Sequence, residues 1–317
     1  MKIWIIVAVS LILLGCIVFT VGMANKGWNF YELSTTEYET VVHDIKDDFS
    51  DISFDVDTAH VKFVISENTE CRVECLEDKK TPFDVKVVDG KLTAKLSDER
   101  KWYDHIGINL KTPTLTVYLP KSEYSSLELK GSTGKVEIAK NVAFESVDIS
   151  ISTGSVKLLG NVSGLAKIKT TTGRIHVENI FAGGLDVSVT TGRVKLVQVN
   201  CLGDINVNVS TGKTDMSEVS CVNFTSSGST GDIYMQNLAV AGKLRVIRDT
   251  GDVEFENSDA AELYIKTDTG DVEGSLRSDK VFMVKTNTGD VEIPRTTTGG
   301  VCEIYTDTGD VELEISK

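Results

Sequence analysis

The sequence contains few of the residues that build metal sites, disulfide frameworks or nucleic-acid-binding surfaces. Only four histidines occur in 317 residues, and His43, His60, His105 and His176 are scattered without metal-ligand spacing. Basic residues number 33 against 47 acidic residues, which gives a formal net charge of −14. This acidic balance argues against nucleic acid or bare anionic lipid as the main partner. Five of the six cysteines lie outside the N-terminal apolar run, and an odd number provides no disulfide framework.

The chain has a single long apolar run, from Ile3 to Ala24, and its length suits a transmembrane helix of about 20 residues. Lys2 on the short N-terminal side favours an orientation with the C-terminal domain outside the cell. Two alternatives stay open. Gly22-Met23-Ala24 resembles a signal-peptidase site, although the run exceeds the usual apolar segment of about 7–15 residues. Leu13-Leu14-Gly15-Cys16 resembles a lipoprotein box, although apolar residues follow the cysteine. We predict an uncleaved membrane anchor over residues 1–24.

Ten Thr-Gly pairs recur along the C-terminal two-thirds of the chain at intervals of 19 or 20 residues. A fixed short period is the sequence signature of a repeat architecture. The glycines, which we expect to be structural, are Gly134, Gly154, Gly173, Gly192, Gly212, Gly231, Gly251, Gly270, Gly289 and Gly309.

Apolar residues fall into columns when the ten copies are aligned on the glycine. They occupy the positions seven and five residues before it, and two and four residues after it, as Leu185, Val187, Val194 and Leu196 do around Gly192. Alternation with a period of two indicates half-buried strands. The alternation shifts at the glycine, which predicts a bend there, because glycine accepts a positive φ. The preceding threonine shares the inward parity, so we expect a buried ladder of threonine hydroxyls.

These columns predict an all-β fold, a single-stranded parallel β-solenoid (β-helix) of about ten coils. Stacked like residues on neighbouring coils bury a core that no single repeat can bury alone. Ten coils at a spacing of ~4.8 Å give a rod about 45–50 Å long. A β-sandwich or propeller would need longer strands, or blades of about 40 residues.

Residues 25–125 form a β-rich region without the repeat, which we expect to cap the first coil, since an open sheet edge invites aggregation. Phe83 to Leu96 is a predicted hairpin in which Asp89-Gly90 supplies a type I′ turn. The predicted division is therefore an anchor (1–24), a capping region (25–125) and a Thr-Gly solenoid (126–317). Glu312, Glu314 and Lys317 are expected to protect the edge of the last coil.

The residue after each corner glycine should point outward, and its charge changes along the chain. It is basic in most early coils and acidic in all late ones, and residues 232–317 as a whole carry 18 acids and 9 bases. We take these outward residues as candidates for surface interaction: Lys135, Arg174, Arg193, Lys213, Asp232, Asp252, Asp271, Asp290 and Asp310.

The late corners also stack carboxylates that could offer oxygen ligands to calcium. The calcium candidates are Asp249, Asp252, Asp268, Asp271, Asp290, Asp307 and Asp310. The glycine-rich nonapeptide of calcium-binding β-rolls is absent, and a solvated acidic edge explains the pattern equally simply. We predict no metal site and no cofactor.

Cys201 and Cys221 each lie nine residues after a corner glycine, so we expect them to stack on adjacent coils about 5 Å apart. A disulfide bridge is possible at that distance. The favoured interpretation is that the two cysteines are small apolar residues that fill a core column. Cys71 and Cys75 would lie about 13 Å apart on one strand face, too far to bridge.

Catalysis finds little support in the sequence. Asp249-Thr250-Gly251 spells the tripeptide of pepsin-like proteases, but that chemistry needs two aspartates that meet across a dyad. A carbohydrate-active β-helix enzyme, a minor alternative, would need long loops around a groove, and the coils vary by one residue only. Ice binding would need outward Thr-x-Thr pairs, and the parity places pairs such as Thr170/Thr172 inward. We predict that the protein is not an enzyme.

The N-terminal anchor, the region ending in Val117-Tyr118-Leu119-Pro120 and the repeated Ser/Asp-Thr-Gly-Asp-Val-Glu motif resemble the bacterial "putative adhesin" family of unknown function. Its members include envelope-stress operon proteins of Gram-positive bacteria. The resemblance covers roughly residues 40–317 and implies a β-solenoid but no reaction, catalytic residue or cofactor.

We therefore predict a membrane-tethered extracellular β-solenoid that acts by surface contact, as an adhesin-like binding module of the cell envelope. The resemblance adds a role in envelope stress. The expected partner is an unknown envelope protein or polysaccharide, and no nucleic acid. The alternative is a structural scaffold that associates end to end through the C-terminal edge of the solenoid.

Overall fold

The structure, a computed structural model, describes residues 2–25, 27–28, 37–97 and 111–316. A single helix, α1, precedes nineteen strands in this part of the chain. The elements are α1 (Lys2–Asn25), β1 (Tyr38–Ile45), β2 (Asp51–Ile65), β3 (Cys71–Asp78), β4 (Phe83–Val88), β5 (Lys91–Leu96), β6 (Thr114–Leu119), β7 (Glu123–Ile138), β8 (Ala143–Leu158), β9 (Val162–Cys201), β10 (Ile205–Cys221), β11 (Phe224–Thr230), β12 (Ile233–Gln236), β13 (Ala239–Thr250), β14 (Val253–Thr269), β15 (Val272–Leu276), β16 (Lys280–Thr288), β17 (Val291–Glu292), β18 (Gly300–Thr308) and β19 (Val311–Ile315).

Each coil of the solenoid has two straight sides that meet at its glycine, which we call the glycine corner. In the Gly192 coil, Leu185 and Val187 are buried on the first side, before the glycine, and Val194 and Leu196 on the second side, after it. These residues pair in parallel register with the same positions of β10. The predicted parallel solenoid, with like residues stacked between coils, is confirmed.

A second corner, which the sequence did not predict, lies six residues after the glycine in the middle coils. The residue there adopts the left-handed conformation in five coils, with φ between 47° and 55°: Asn179, Gln198, Glu218, Asn237 and Asn257. A third side then closes the coil and buries residues such as Val199 and Cys201. Asparagine tolerates this conformation better than most residues, and its recurrence in this column is the sequence signal for the corner.

The solenoid begins within the N-terminal region, because β2 forms a coil of its own. Its Thr58 and Ala59 pair with Thr133 and Gly134 of β7, so Thr58-Ala59 takes the place of a Thr-Gly corner. On the other side of β2, β5 and β6 pair with it in parallel and add one more layer.

Antiparallel strands cover this N-terminal end of the rod. β4 pairs with β5, β3 pairs with β6, and β1 pairs with β3. The β4–β5 hairpin turns through Asp89 (φ 51°) and Gly90 (φ 72°), and two positive φ values are those of the predicted type I′ turn.

The C-terminal end of the rod departs from chain order. β18 and β19 pair with β14 and β15 on one side, and with β16 and β17 on the other. The last coil in the sequence is therefore an inner coil, and the β16–β17 coil forms the end of the rod. The prediction that Glu312 and Glu314 protect the last edge is wrong for this reason, and Lys317 lies outside the described residues.

The α1 helix is apolar, and its span Trp4–Asn25 is long enough to cross a membrane. A signal sequence near the N-terminus can also be this apolar and form a helix of this kind. The most apolar stretch of the helix is fully exposed, and Met23 near its C-terminal end is buried.

Candidate interaction surface

All ten threonines of the glycine corners are exposed, which corrects the prediction of a buried threonine ladder. The inward alternation ends three residues before the glycine, and the two residues between that position and the glycine face solvent. Thr170, Thr267 and Thr306 occupy the inner position and are buried. Each Thr-x-Thr pair therefore has one inward and one outward member, so the argument that parity places both inward fails.

The buried threonines of the late coils bind the neighbouring coil. The Thr267 hydroxyl donates to the carbonyl of Gly251 at 3.2 Å, and the Thr306 hydroxyl donates to the carbonyl of Gly270 at 3.2 Å. A hydroxyl ladder does exist, but it lies three residues before the glycine.

The corner must be glycine because the backbones of neighbouring coils lie too close together for a side chain. Gly192 has φ +149°, and a Cβ placed on it would lie 1.8 Å from the carbonyl oxygen of Gly173. No side chain fits at that distance, so each corner glycine is required by the coil beneath it as well as by its own conformation. The same close approach recurs at all ten glycine corners.

The glycine corners are of two kinds, and the change coincides with the change of charge. In β7, β8, β9 and β10 the strand continues through the corner, whereas from Gly231 onward the strand ends at the threonine and restarts two residues after the glycine. In these interrupted corners an aspartate replaces the missing backbone acceptor. The Asp252 carboxylate accepts from the backbone N–H of Asp271 at 3.0 Å, and the Asp271 carboxylate accepts from that of Asp310 at 2.8 Å.

This aspartate ladder continues to the end of the rod in the order in which the coils stack. Asp310 accepts from the N–H of Asp290 at 2.8 Å, although Asp290 comes earlier in the sequence. His60 acts similarly at the Thr58-Ala59 corner, where its Nδ1 accepts from the N–H of Lys135 at 3.1 Å. The aspartates after the glycine therefore have a structural role that their exposure alone does not reveal.

The outer surface of the second sides forms one continuous sheet face, which we call the second-side face. In the early coils it carries exposed basic residues, which we call the basic half: Lys135, Lys157, Arg174, Arg193, Lys195 and Lys213. Arg193 Nε lies 2.6 Å from Asp215 Oδ2, and Lys213 Nζ lies 2.7 Å from Asp232 Oδ2. Within the described residues, Lys157, Arg174 and Lys195 have no ion-pair partner.

In the late coils the same face has only acidic charges among its outward residues, and we call this the acidic half. It comprises Asp232, Asp252, Glu254, Glu256, Asp271, Glu273, Asp290, Glu292, Asp310, Glu312 and Glu314. Glu254, Glu273, Glu312 and Glu292 follow one another on adjacent strands. Partial burial, and then the negative charges around it, raise the pKa of Glu273 above its ordinary value.

The structure does not gather the calcium candidates into a ligand cluster. Asp249 and Asp307 are exposed two residues before the glycine, whereas Asp252 and Asp271 lie just after it, with their carboxylates engaged along the ladder. In the part of the chain that the structure describes, no group of three or more His, Cys, Asp or Glu side chains could hold a metal ion.

Cys201 and Cys221 lie in the buried column of the third side, and both thiols are free. Burial raises the pKa of Cys221 to about 12 and also raises that of Cys201, so neither is a reactive thiolate at neutral pH. Cys71 and Cys75 are likewise buried and unbridged on β3.

A groove of about 980 Å³ lies where the chain crosses from β15 to β16. Its floor includes Asp259 and Lys280, whose Oδ1 and Nζ lie 2.6 Å apart, and the Lys280 side chain is only 3% exposed. Ser278 takes a further hydrogen bond from Lys280 at 2.6 Å. This buried ion pair, which the sequence did not predict, fixes the start of the end coil.

A buried arginine, Arg248, also escaped prediction. Its guanidinium donates to Ser226 Oγ at 2.8 Å and to its own neighbour's carbonyl, that of Ile247, at 2.9 Å. Burial lowers the pKa of Arg248 to about 10. Most other coils have larger residues at the positions of Ser226 and Gly228. The small size of these two residues leaves room for the arginine.

The fold and the surface together define a parallel β-solenoid with an outward ladder of charged corners. The chain belongs to the Toastrack DUF4097 family, whose model matches residues 49–202 and 198–317. No curated protein matches the sequence.

Solved bacterial structures are similar to this chain at low sequence identity. A "putative lipid binding protein" from Parabacteroides distasonis is 14% identical, with a TM-score of 0.52 over 89% of this chain and 98% of that one. A "putative adhesin" from Bacteroides fragilis is 12% identical, with a TM-score of 0.43 over 89% of this chain and 99% of that one. A "putative adhesin" from Parabacteroides distasonis is 14% identical, with a TM-score of 0.45 over 89% and 98%.

Proposed function

We propose that the protein is a non-catalytic binding module of the bacterial cell envelope, tethered by α1 with the solenoid outside the membrane. The observation that supports this most is the second-side face, a regular sheet surface whose charged residues project from a rigid core. Rigid elements that present a fixed array of side chains suit surface contact, whereas hydrolytic chemistry requires a walled site with perturbed acids and bases. A role in envelope stress, which the resemblance implies, belongs to the same proposal.

Site-specific crosslinking tests this function. A photoreactive residue at Ser155, on the second-side face of the full-length protein in intact cells, is expected to yield a discrete crosslinked product with an envelope component. The matched control is Ser150, on the outer surface of the first side, which should yield none. Equal products from both positions, or none from Ser155, would contradict contact through this face.

The tether is tested separately with a membrane-impermeant maleimide. A single cysteine at Asp148, introduced in a Cys16→Ser background, should be labelled in intact cells if the solenoid is outside. Labelling only after lysis would place the solenoid on the inner side and overturn this part of the proposal.

A second candidate is the end-to-end scaffold, and the β16 edge favours it. Within the described residues no strand pairs with the outer edge of β16, and Phe282, Val284 and Ile293 are only partly buried at that end of the core. Particles that lengthen without limit as concentration rises would support the scaffold. A species of fixed mass would contradict it.

A further inference from the structure

The second-side face is self-complementary in charge, and we infer that two copies of this chain pair through it, side by side and antiparallel. This inference stands apart from the proposed function, but both need the same face: a Ser155 crosslink to a second copy of this chain supports the pairing, and a crosslink to another envelope component supports the proposed function. We call the outward residues of one second-side strand a row. The basic half and the acidic half each occupy five successive rows, and the charge changes from basic to acidic between the Lys213 row and the Asp232 row, which we call the switch. A two-fold axis placed along the strands at this switch lays each basic row of one copy over an acidic row of its partner.

The second rows from the axis match in charge at the first and third residues after the glycine. Because the coils have one spacing, the second row on the acidic side meets the second row on the basic side. Asp252 then lies opposite Arg193, and Glu254 opposite Lys195, since each pair shares its offset from the glycine. A two-fold contact forms each pair twice.

The outer rows continue the match. Asp271 faces Arg174 in the third row, and Glu312 faces Lys157 in the fourth. Arg174 and Lys157 are two of the basic residues without an ion-pair partner among the described residues, so this contact gives them one.

Glu256 and Glu314, five residues after their glycines, face the uncharged Val197 and Leu159, and the fifth row holds the one pair of like charges. Asp290 faces Lys135 there, but Glu292 faces Glu137, and like charges opposite each other are unfavourable. The fourth row depends on the unusual coil order, because Glu312 stands next to Glu273 only when the last coil lies inside the stack. In chain order Glu292 would take that row instead.

The size of the face suits a stable pair. Ten rows at ~4.8 Å and about five residues at ~3.3 Å give roughly 800 Å² per copy, the usual area for one side of a specific interface. Charge complementarity supplies orientation and association rate more than affinity, so the pair should weaken as salt rises.

Two other surfaces fit a second copy less well. A contact between two β16 edges would bring together the acidic ends of both rods, where residues 232–317 carry twice as many acids as bases. The groove beside β16 has its charged floor already engaged in the Asp259–Lys280 ion pair.

Sedimentation of the full-length protein in a mild non-ionic detergent tests the pairing. We expect a protein mass of twice the single chain at low salt, falling to one chain at about 0.5 M salt, where the Debye length is below ~5 Å. The acidic-half variant Glu254→Lys with Glu312→Lys and the basic-half variant Lys157→Glu with Lys195→Glu should each stay single at low salt.

An equimolar mixture of the two variants should recover the paired mass, because the reversed acidic half of one then meets the reversed basic half of the other. Asp148→Lys and Lys169→Glu, on the outer surface of the first side, are the controls and should stay paired. Circular dichroism melting checks that each variant folds. A wild-type protein that stays single at low salt, a mixture that stays single, or filaments in place of a fixed mass would overturn the inference.

Discussion

The glycine of each corner is held by a neighbour as well as by its own dihedral angles. At Gly192 the carbonyl of Gly173 occupies the space where a Cβ would lie, 1.8 Å away. A side chain there must push two coils apart, and the φ of +149° adds its own strain. Corner glycines thus tie the conformation of one coil to the position of the next.

We expect Gly192→Ala to lower the free energy of unfolding by about 3 kcal/mol or more, since backbone strain and a backbone clash add. Chemical denaturation of the purified protein measures this change.

Thr191→Ala is the adjacent control, and we expect a change within about 0.5 kcal/mol, because the side chain is exposed. A large loss from Thr191→Ala would instead support the buried threonine ladder that parity suggested.

The corner as an element comes in a continuous and an interrupted form, and aspartate distinguishes them. Where the strand is interrupted, the carboxylate after the glycine accepts a hydrogen bond from the backbone of the next coil. This explains why the Asp-Val-Glu motif is repeated in these coils. The sequence shows the motif, but only the pairing of coils shows which atom the carboxylate binds.

Removing one rung of the aspartate ladder should weaken the interrupted corners. Asp252→Ala leaves the N–H of Asp271 without its acceptor and should cost about 1 kcal/mol, as for the loss of an ordinary hydrogen bond. Thermal melting of the variant beside Asp249→Ala, whose carboxylate is exposed, measures the difference. Equal melting temperatures for the two variants would show that the ladder adds no stability.

The strands and glycine corners could be predicted from the sequence because they depend on alternation within one repeat. Val187 and Val194 fall in buried columns whatever the neighbouring coils are. The outward turn of Thr191 could not be predicted, since it follows from backbone contact with the adjacent coil. The second corner has a signal in the sequence, the recurrence of asparagine six residues after the glycine at Asn179, Asn237 and Asn257.

The order of coils at the C-terminal end could not be predicted for a different reason. The repeats around Gly289 and Gly309 are so alike that either fits beside the Gly270 coil, and alternation does not distinguish them. The buried Lys280–Asp259 ion pair accompanies the observed order. The charge switch of the second-side face was visible in sequence, but its match between copies required the register of the rows.

At the scale of the whole molecule, a disulfide can report the coil order. Glu273 and Glu312 are directly paired on neighbouring strands. Cysteines at these positions should bridge under mild oxidation, because their Cα atoms lie about 5 Å apart. Cysteines at Glu273 and Glu292 should not, because the Glu312 row lies between them. Gel mobility without reductant distinguishes the pairs, and bridging of the second pair alone would establish chain order.

Partial burial, and then the neighbouring carboxylates of the acidic half, should make stability depend on pH through Glu273. The folded pKa of Glu273 is raised, so its ionisation destabilises the folded state above that pKa, and the penalty disappears as pH falls through it. Glu273→Gln should therefore raise the melting temperature at pH 7, with no gain near pH 4, where an ordinary glutamate is largely protonated.

Asp51 provides a control of opposite sign. Hydrogen bonds from Ser126 and Ser50 lower its pKa, so its contribution is present above the unfolded pKa and is lost as pH falls through the folded pKa. Asp51→Asn should lower the melting temperature at pH 7. A Glu273→Gln variant that behaves like Asp51→Asn would contradict the raised pKa of Glu273.

The inner position of the last coil also constrains the time course of folding. Each turn of a solenoid packs only on its neighbours, and during synthesis the N-terminal part of a chain folds first. Here β16 and β17 have no strand to pair with until Gly300–Ile315 has been made and has docked against β14 and β15. Closure of the rod must therefore wait for the final residues, and the two turns assemble in the reverse of their order of synthesis.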